Sequence, residues 1–203
     1  MNRIEKTLSA LKKNQKRMLS PYLTAGDPTP DLTVELMHTL AQSGADIIEL
    51  GIPFSDPMAE GPVIQGAMER ALEQGVQLEQ VLQMVKQFRE NNQETPIILM
   101  GYLNPIEQHG YEKFASEAKQ RGVDGTILVD LPPEESESIA PIWSKQDLYS
   151  IYLCSPTTSD RRMHQINKYA KGYLYYVSLK GVTGSNTLDV NAVEAAYESR
   201  KAM

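Results

Sequence analysis

Glu49 and Glu60 are two carboxylates spaced so that a strand and the loop after it could set them on either side of a small ligand. Glu49 interrupts the apolar run "DIIELG", and along a strand its side chain points away from those of Ile48 and Leu50. If its face is a barrel interior, desolvation raises the carboxyl toward a pKa useful for acid–base chemistry. A structural carboxylate paired with a Lys or Arg is the alternative, because an unpaired buried charge is costly. Glu60 lies on "IPFSDPMAEGP", just before Gly61 and Pro62, which suit a helix start. Rigid scaffolds carry catalytic groups on such loops. Solvated loop acids are also common, and that reading fits Asp56 and Glu60 equally well.

A second loop, "SLKGVTGSNT", offers Gly181 and Gly184 for close backbone approach and Thr183 and Ser185 for hydroxyls. It suits a phosphate site or a moving lid. His38, His109 and His164 are scattered on polar helical faces with no ligand-spaced partner, so they are expected at the surface and no metal is expected. Tyr102, Tyr149, Tyr152, Tyr173, Tyr175 and Tyr176 gather near strand-like runs. Most suit a core, and those at strand ends could wall a pocket for a flat aromatic ligand.

Six apolar runs must position these groups, and strands are expected near 18–24, 46–51, 96–101, 125–130, 149–154 and 173–178. Their near-continuous apolarity is that of parallel strands covered on both faces. Helical patterns alternate with them. "DLTVELMHTLAQSG" sets Leu32, Leu36 and Leu40 on one face, and "QLEQVLQMVKQF" repeats Leu78, Val81, Leu82 and Val85. Strand–helix alternation implies right-handed crossovers in either a doubly wound sheet or a (β/α)8 barrel, with the site beyond the strand ends. No G-x-G-x-x-G follows the first strand, which weakens a dinucleotide reading.

Composition narrows the function classes. Lys and Arg number 20 against 26 Asp and Glu, a net charge of −6 with no basic patch, which argues against a nucleic-acid groove. No apolar run is long enough to cross a bilayer, and the amphipathic amino terminus "MNRIEKTLSALKKNQKR" has no signal-like core. One cysteine, Cys154, excludes an internal disulfide framework and suits a reducing cytoplasm.

"SPYLTAGDP", "ELGIPFSDPMAEGPVIQ", "MGYLNPI", "DGTILVDLPPEE" and "YYVSLKGVTG" occur in this order between about Ile4 and Thr187. Together they resemble the tryptophan synthase alpha subunit family. The resemblance implies a (β/α)8 (TIM) barrel that cleaves indole-3-glycerol phosphate to indole and glyceraldehyde 3-phosphate. It also implies a beta-subunit partner in an alpha-beta-beta-alpha heterotetramer, with pyridoxal phosphate in that partner and no cofactor in this chain. Matched by motif, Glu49 is the acid–base carboxylate, and Glu60 holds the indole N–H. Tyr22, Met100, Ile127, Val129, Leu153 and Tyr175 line the indole pocket. Thr183 and Gly184 belong to the lid loop, with Gly184 at the phosphate. Asp56, Pro57 and Asn104 face the beta subunit.

Two departures from the family pattern stand out. "MAEG" replaces the commoner "ADG", so the charge of Glu60 sits on a stem longer by one carbon–carbon bond, ~1.5 Å. Only six of eight strand–helix units are present. The expectation is therefore a single barrel domain, 1–203, truncated at its C-terminal side and lacking most of the family's phosphate cradle. The alternative to a working lyase is a catalytically weak module that mainly docks on the beta subunit.

Overall fold

A computed structural model describes residues 1–177; the loop carrying Lys180, Thr183 and Gly184 lies outside them. Each apolar run forms a strand: β1 (Tyr22–Thr24), β2 (Ile48–Gly51), β3 (Ile97–Gly101), β4 (Gly125–Leu128), β5 (Tyr149–Cys154) and β6 (Leu174–Tyr176). All neighbours are parallel and lie in the order β1-β2-β3-β4-β5-β6. A doubly wound sheet reverses its order at a switch point, so this unreversed order is the wall of a (β/α) barrel.

Several strands are shorter than the runs that announce them. The first run pairs with its neighbour from Leu19 onward, since the Asp46 and Glu49 amides donate to the Leu19 and Pro21 carbonyls. Pro21 has no N–H to return, and the regular ladder begins only at Tyr22. At the other end of the wall, the Val129 amide still reaches the Gly101 carbonyl before the chain turns at Asp130, whose carboxylate accepts from the Leu103 amide at 2.8 Å.

The helices are α1 (Arg3–Lys13), α2 (Pro30–Gln42), α3 (Pro62–Glu73), α4 (Leu78–Asn91), α5 (Leu103–His109), α6 (Tyr111–Arg121), α7 (Ser136–Lys145) and α8 (Asp160–Asn167). In α4 the expected stripe is buried and continues through Phe88 and Arg89. The expected face of α2 is only partly inside, since Leu40 packs against the core but Leu32 does not. Leu32 is 40% exposed, and the buried positions are Thr33 and Met37. Thr33 is preferred inside because its hydroxyl accepts the Gly26 amide at 2.9 Å, satisfying the backbone just after β1.

Strand alternation divides the core into two layers. Ile48, Leu50, Ile97, Leu99 and Leu128 face outward beneath the helices, with Phe88, Phe114 and Trp143 among their neighbours. Ile47, Ile98, Ile127, Tyr149 and Ile151 face the lumen and close on Ile4 from α1. That helix floors the barrel. The Asn2 side-chain amide donates to the carbonyls of Asp124 (3.0 Å) and Asp147 (2.8 Å), which precede β4 and β5, and its oxygen caps the Ile4 amide at 2.9 Å.

Beneath β4, Asp124 is nearly inaccessible and is held by Arg89 at 2.8 Å, Arg3 at 3.0 Å and the Ile97 amide at 2.9 Å. Among the described residues no helix is long and apolar enough to cross a membrane.

Candidate active site

The lumen changes character along its length. Its floor of Ile47, Ile98, Ile127 and Ile151 is fully packed, whereas Met100, Val129, Leu153 and Tyr175 farther along the strands, and Tyr173 just before β6, are only half-buried. Those half-buried apolar and phenolic side chains make an open-ended apolar wall, as a pocket for a flat ligand requires. Ile127, expected in the pocket lining, sits at its base.

Glu49 enters this wall from β2, in register with Tyr22 of β1 and Ile98 of β3. It is 4% exposed, and its Oε1 accepts from the Ser20 hydroxyl at 2.8 Å and from the Tyr173 hydroxyl at 3.3 Å. Both partners are neutral, so the alternative of a salt-bridged structural carboxylate does not describe this residue. Burial pushes the Glu49 carboxyl above the ordinary carboxylate range, and the two hydroxyl donors pull the other way. The result is a protonatable acid in an apolar wall.

Glu60 is 7% exposed, hence not a solvated loop charge. Its loop is tied down on both sides: the Ala59 amide donates to the Tyr102 hydroxyl at 2.9 Å, and the Gln65 side chain donates to the Glu60 carbonyl at 2.8 Å. Tyr102 in turn stacks on Phe54, with ring centroids 5.0 Å apart.

Tyr22 is pushed up to about 12, first by burial and then by the charges of Glu60 and Glu49, against a lowering hydrogen bond with Thr24. Tyr175 is raised by burial and by the same two carboxylates. Two phenols of the lumen wall thus lie within electrostatic reach of both acids. Gly51 has to lack a side chain here, since a Cβ would lie 2.1 Å from the Tyr22 hydroxyl.

Asp56 is exposed and Pro57 is half-buried on the loop beyond β2, whereas Asn104, expected on a loop, is exposed in the first turn of α5 just after β3. Exposed Met58 and Val63 flank them. Thr183 and Gly184 lie outside the described residues. Two of the three histidines are not surface groups as expected. His38 is half-buried, 4.7 Å from the Phe88 ring, and His109 meets Glu117 at 2.8 Å. Folding also brings Glu79 toward that pair, with ligand-type atoms within 4.8 Å, but Arg121 holds Glu79 at 2.6 Å. A surface cavity of about 500 Å3 between Leu103, Tyr111 and the start of α7 lies apart from the two carboxylates.

Tyr102 and Tyr173, two of the tyrosines expected as core or pocket wall, join the site as hydrogen-bond partners, and Ser20 joins it without having been singled out from sequence. Period-2 alternation carries the signal for two of them, because Ser20 precedes Tyr22 by two residues and Tyr173 precedes Tyr175 by two.

Residues 8–202 match the family described as tryptophan synthase alpha chain. The alpha chain of Legionella pneumophila strain Philadelphia 1 is 67% identical over 202 residues, which are 100% of this chain and 74% of that protein. A crystal structure of tryptophan synthase subunit alpha from L. pneumophila strain Paris superposes with a TM-score of 0.93 at 63% identity, covering 100% of this chain and 74% of its own. A structure described as the structural basis of mutual activation of the tryptophan synthase a2b2 complex from the hyperthermophile Pyrococcus furiosus reaches 0.76 at 41% identity, over 80% of this chain and 68% of that one.

Proposed function

The chain belongs to the tryptophan synthase alpha chain family, and from that membership and the buried Glu49 we propose that it is a lyase cleaving indole-3-glycerol phosphate to indole and glyceraldehyde 3-phosphate. The observation that carries this reading is a carboxyl with a raised pKa in a wall of half-buried Met100, Leu153 and Tyr175. A neutral Glu49 gives its proton to the ring carbon bearing the glycerol chain, forming a C–H bond there and leaving positive charge at the ring nitrogen. The Glu60 carboxylate holds that N–H. Loss of the hydroxyl proton from the adjacent side-chain carbon to the Glu49 carboxylate forms the aldehyde. The electron pair of the breaking C–C bond returns to the ring, and indole leaves.

In this reading the loop that Tyr102 and Gln65 hold from either side sets where the longer stem of Glu60 reaches. Thr183 and Gly184 carry the phosphate and lid roles on the strength of their motif. Asp56, Pro57 and Asn104, with exposed Met58 and Val63 beside them, are the face offered to a beta subunit. A heterotetramer is supported by the a2b2 description of the P. furiosus relative. Pyridoxal phosphate belongs to the beta subunit in this reading, and the cytoplasm suits a chain with one cysteine.

The test is indole release from indole-3-glycerol phosphate by the chain, alone and with a tryptophan synthase beta subunit. Glu49→Gln keeps shape and hydrogen bonding but removes proton transfer, and is expected to lower kcat by roughly 10² to 10⁴ with little change in KM. A variant as fast as its parent overturns the assignment. Stimulation of the beta subunit without indole release by the parent chain returns the docking module instead.

A further inference from the structure

We propose that Ser20 is a positioning residue for Glu49, fixing Oε1 as the hydrogen-bond acceptor so that Oε2 is the oxygen that carries and exchanges the catalytic proton. The proposal rests on the acid–base reading of Glu49. Both hydrogen bonds of Glu49 fall on the same oxygen: the Ser20 hydroxyl donates to Oε1 at 2.8 Å and the Tyr173 hydroxyl at 3.3 Å. Every fully buried side-chain nitrogen or oxygen among the described residues has a partner, so the other oxygen of Glu49 is the one that opens onto the pocket. A carboxyl pinned at one oxygen cannot rotate freely between its two faces, and its proton is presented in one direction.

Ser20 also sets where the proton is released. A hydroxyl that donates to a carboxylate stabilises the charged form and offsets part of the desolvation that burial imposes. The shorter of the two bonds is from Ser20, which lies on the segment that pairs with β2 just before Pro21. The titratable groups around Glu49 are Tyr22 of β1, Tyr173 just before β6, Tyr175 of β6 and, on the far side of Tyr22 and Tyr175, Glu60. Burial raises all three phenols, which therefore stay neutral through the carboxylate's range. Its β3 neighbours, Ile98 and Met100, do not titrate. Ser20 is thus the strongest adjustable donor on the group.

The experiment is a 13C NMR titration of the chain labelled at the glutamate δ-carboxyl, with the Glu49 resonance identified by its loss in Glu49→Gln. Ser20→Ala is expected to raise the Glu49 midpoint by about one unit or more, the effect of losing one hydrogen bond to a charged group. Ser20→Thr keeps the hydroxyl and is expected to restore the parental midpoint. An unchanged midpoint in Ser20→Ala, or a Ser20→Thr midpoint that follows Ser20→Ala, overturns the proposal. The titration reads the carboxyl itself, so its outcome stands apart from the catalytic reading, which fails separately if Glu49→Gln still releases indole at the parental rate.

Discussion

Glu49 is expensive to keep charged in the folded chain, and that cost has a pH signature. Its pKa is raised on folding because burial outweighs the Ser20 and Tyr173 donors, so the native state holds the proton more tightly than the unfolded chain. The favourable contribution is fully present below the ordinary carboxylate pKa and is lost as pH rises through the higher folded value. Glu49→Gln has no such loss. Urea titrations across that window should show the parent losing stability relative to Glu49→Gln as pH increases; parallel curves would mean that the carboxyl is not perturbed. The identity of the two acids was legible from their motif, and Glu49's face from strand alternation. The neutrality of its partners was not, because Ser20 and Tyr173 lie 29 and 124 residues away in the chain.

Among the elements, α4 and β4 are joined through a charged pair inside the wall's outer layer. The Arg89 guanidinium is lowered to about 10 by burial, with Asp124 opposing and Arg3 adding to the fall. It is kept in place by the Gly122 carbonyl at 2.9 Å and the Thr95 carbonyl at 2.7 Å as well as by Asp124. Asp124→Asn strands a buried cation and is expected to cost about 3–5 kcal/mol in urea unfolding, while replacing both partners by apolar residues should recover much of that. A loss below ~1 kcal/mol would show the pair to be solvent-screened. The apolar stripe of α4 was readable as a 3.6-residue period, yet Arg89 on the same buried face was not, since its burial depends on carbonyls and an acid from other segments. The same limit explains α2. Thr33 is inside for one backbone amide that no periodicity describes.

For the molecule as a whole, the sequential strand order was legible in the alternation of runs and helical stretches, and the TM-score of 0.93 with an alpha-subunit structure agrees with it. What alternation could not show is how the lumen is closed from below. Each strand adds to the one made just before it, but Asn2 reaches the carbonyls of Asp124 and Asp147, at sequence separations of 122 and 145. Such closures come late in folding because their loop entropy is unfavourable until the wall exists. Asn2→Ala is therefore expected to leave the refolding rate of the chain nearly unchanged and to speed unfolding in stopped-flow experiments; a slowed refolding limb would place the floor in the nucleus instead. The order has a consequence at the ribosome. Synthesis at roughly 5–20 residues per second leaves on the order of ten seconds or more between emergence of Ile4 and completion of its receptor. During that interval the first helix is an apolar stripe with no seat, and nascent-chain chaperones have their opening there.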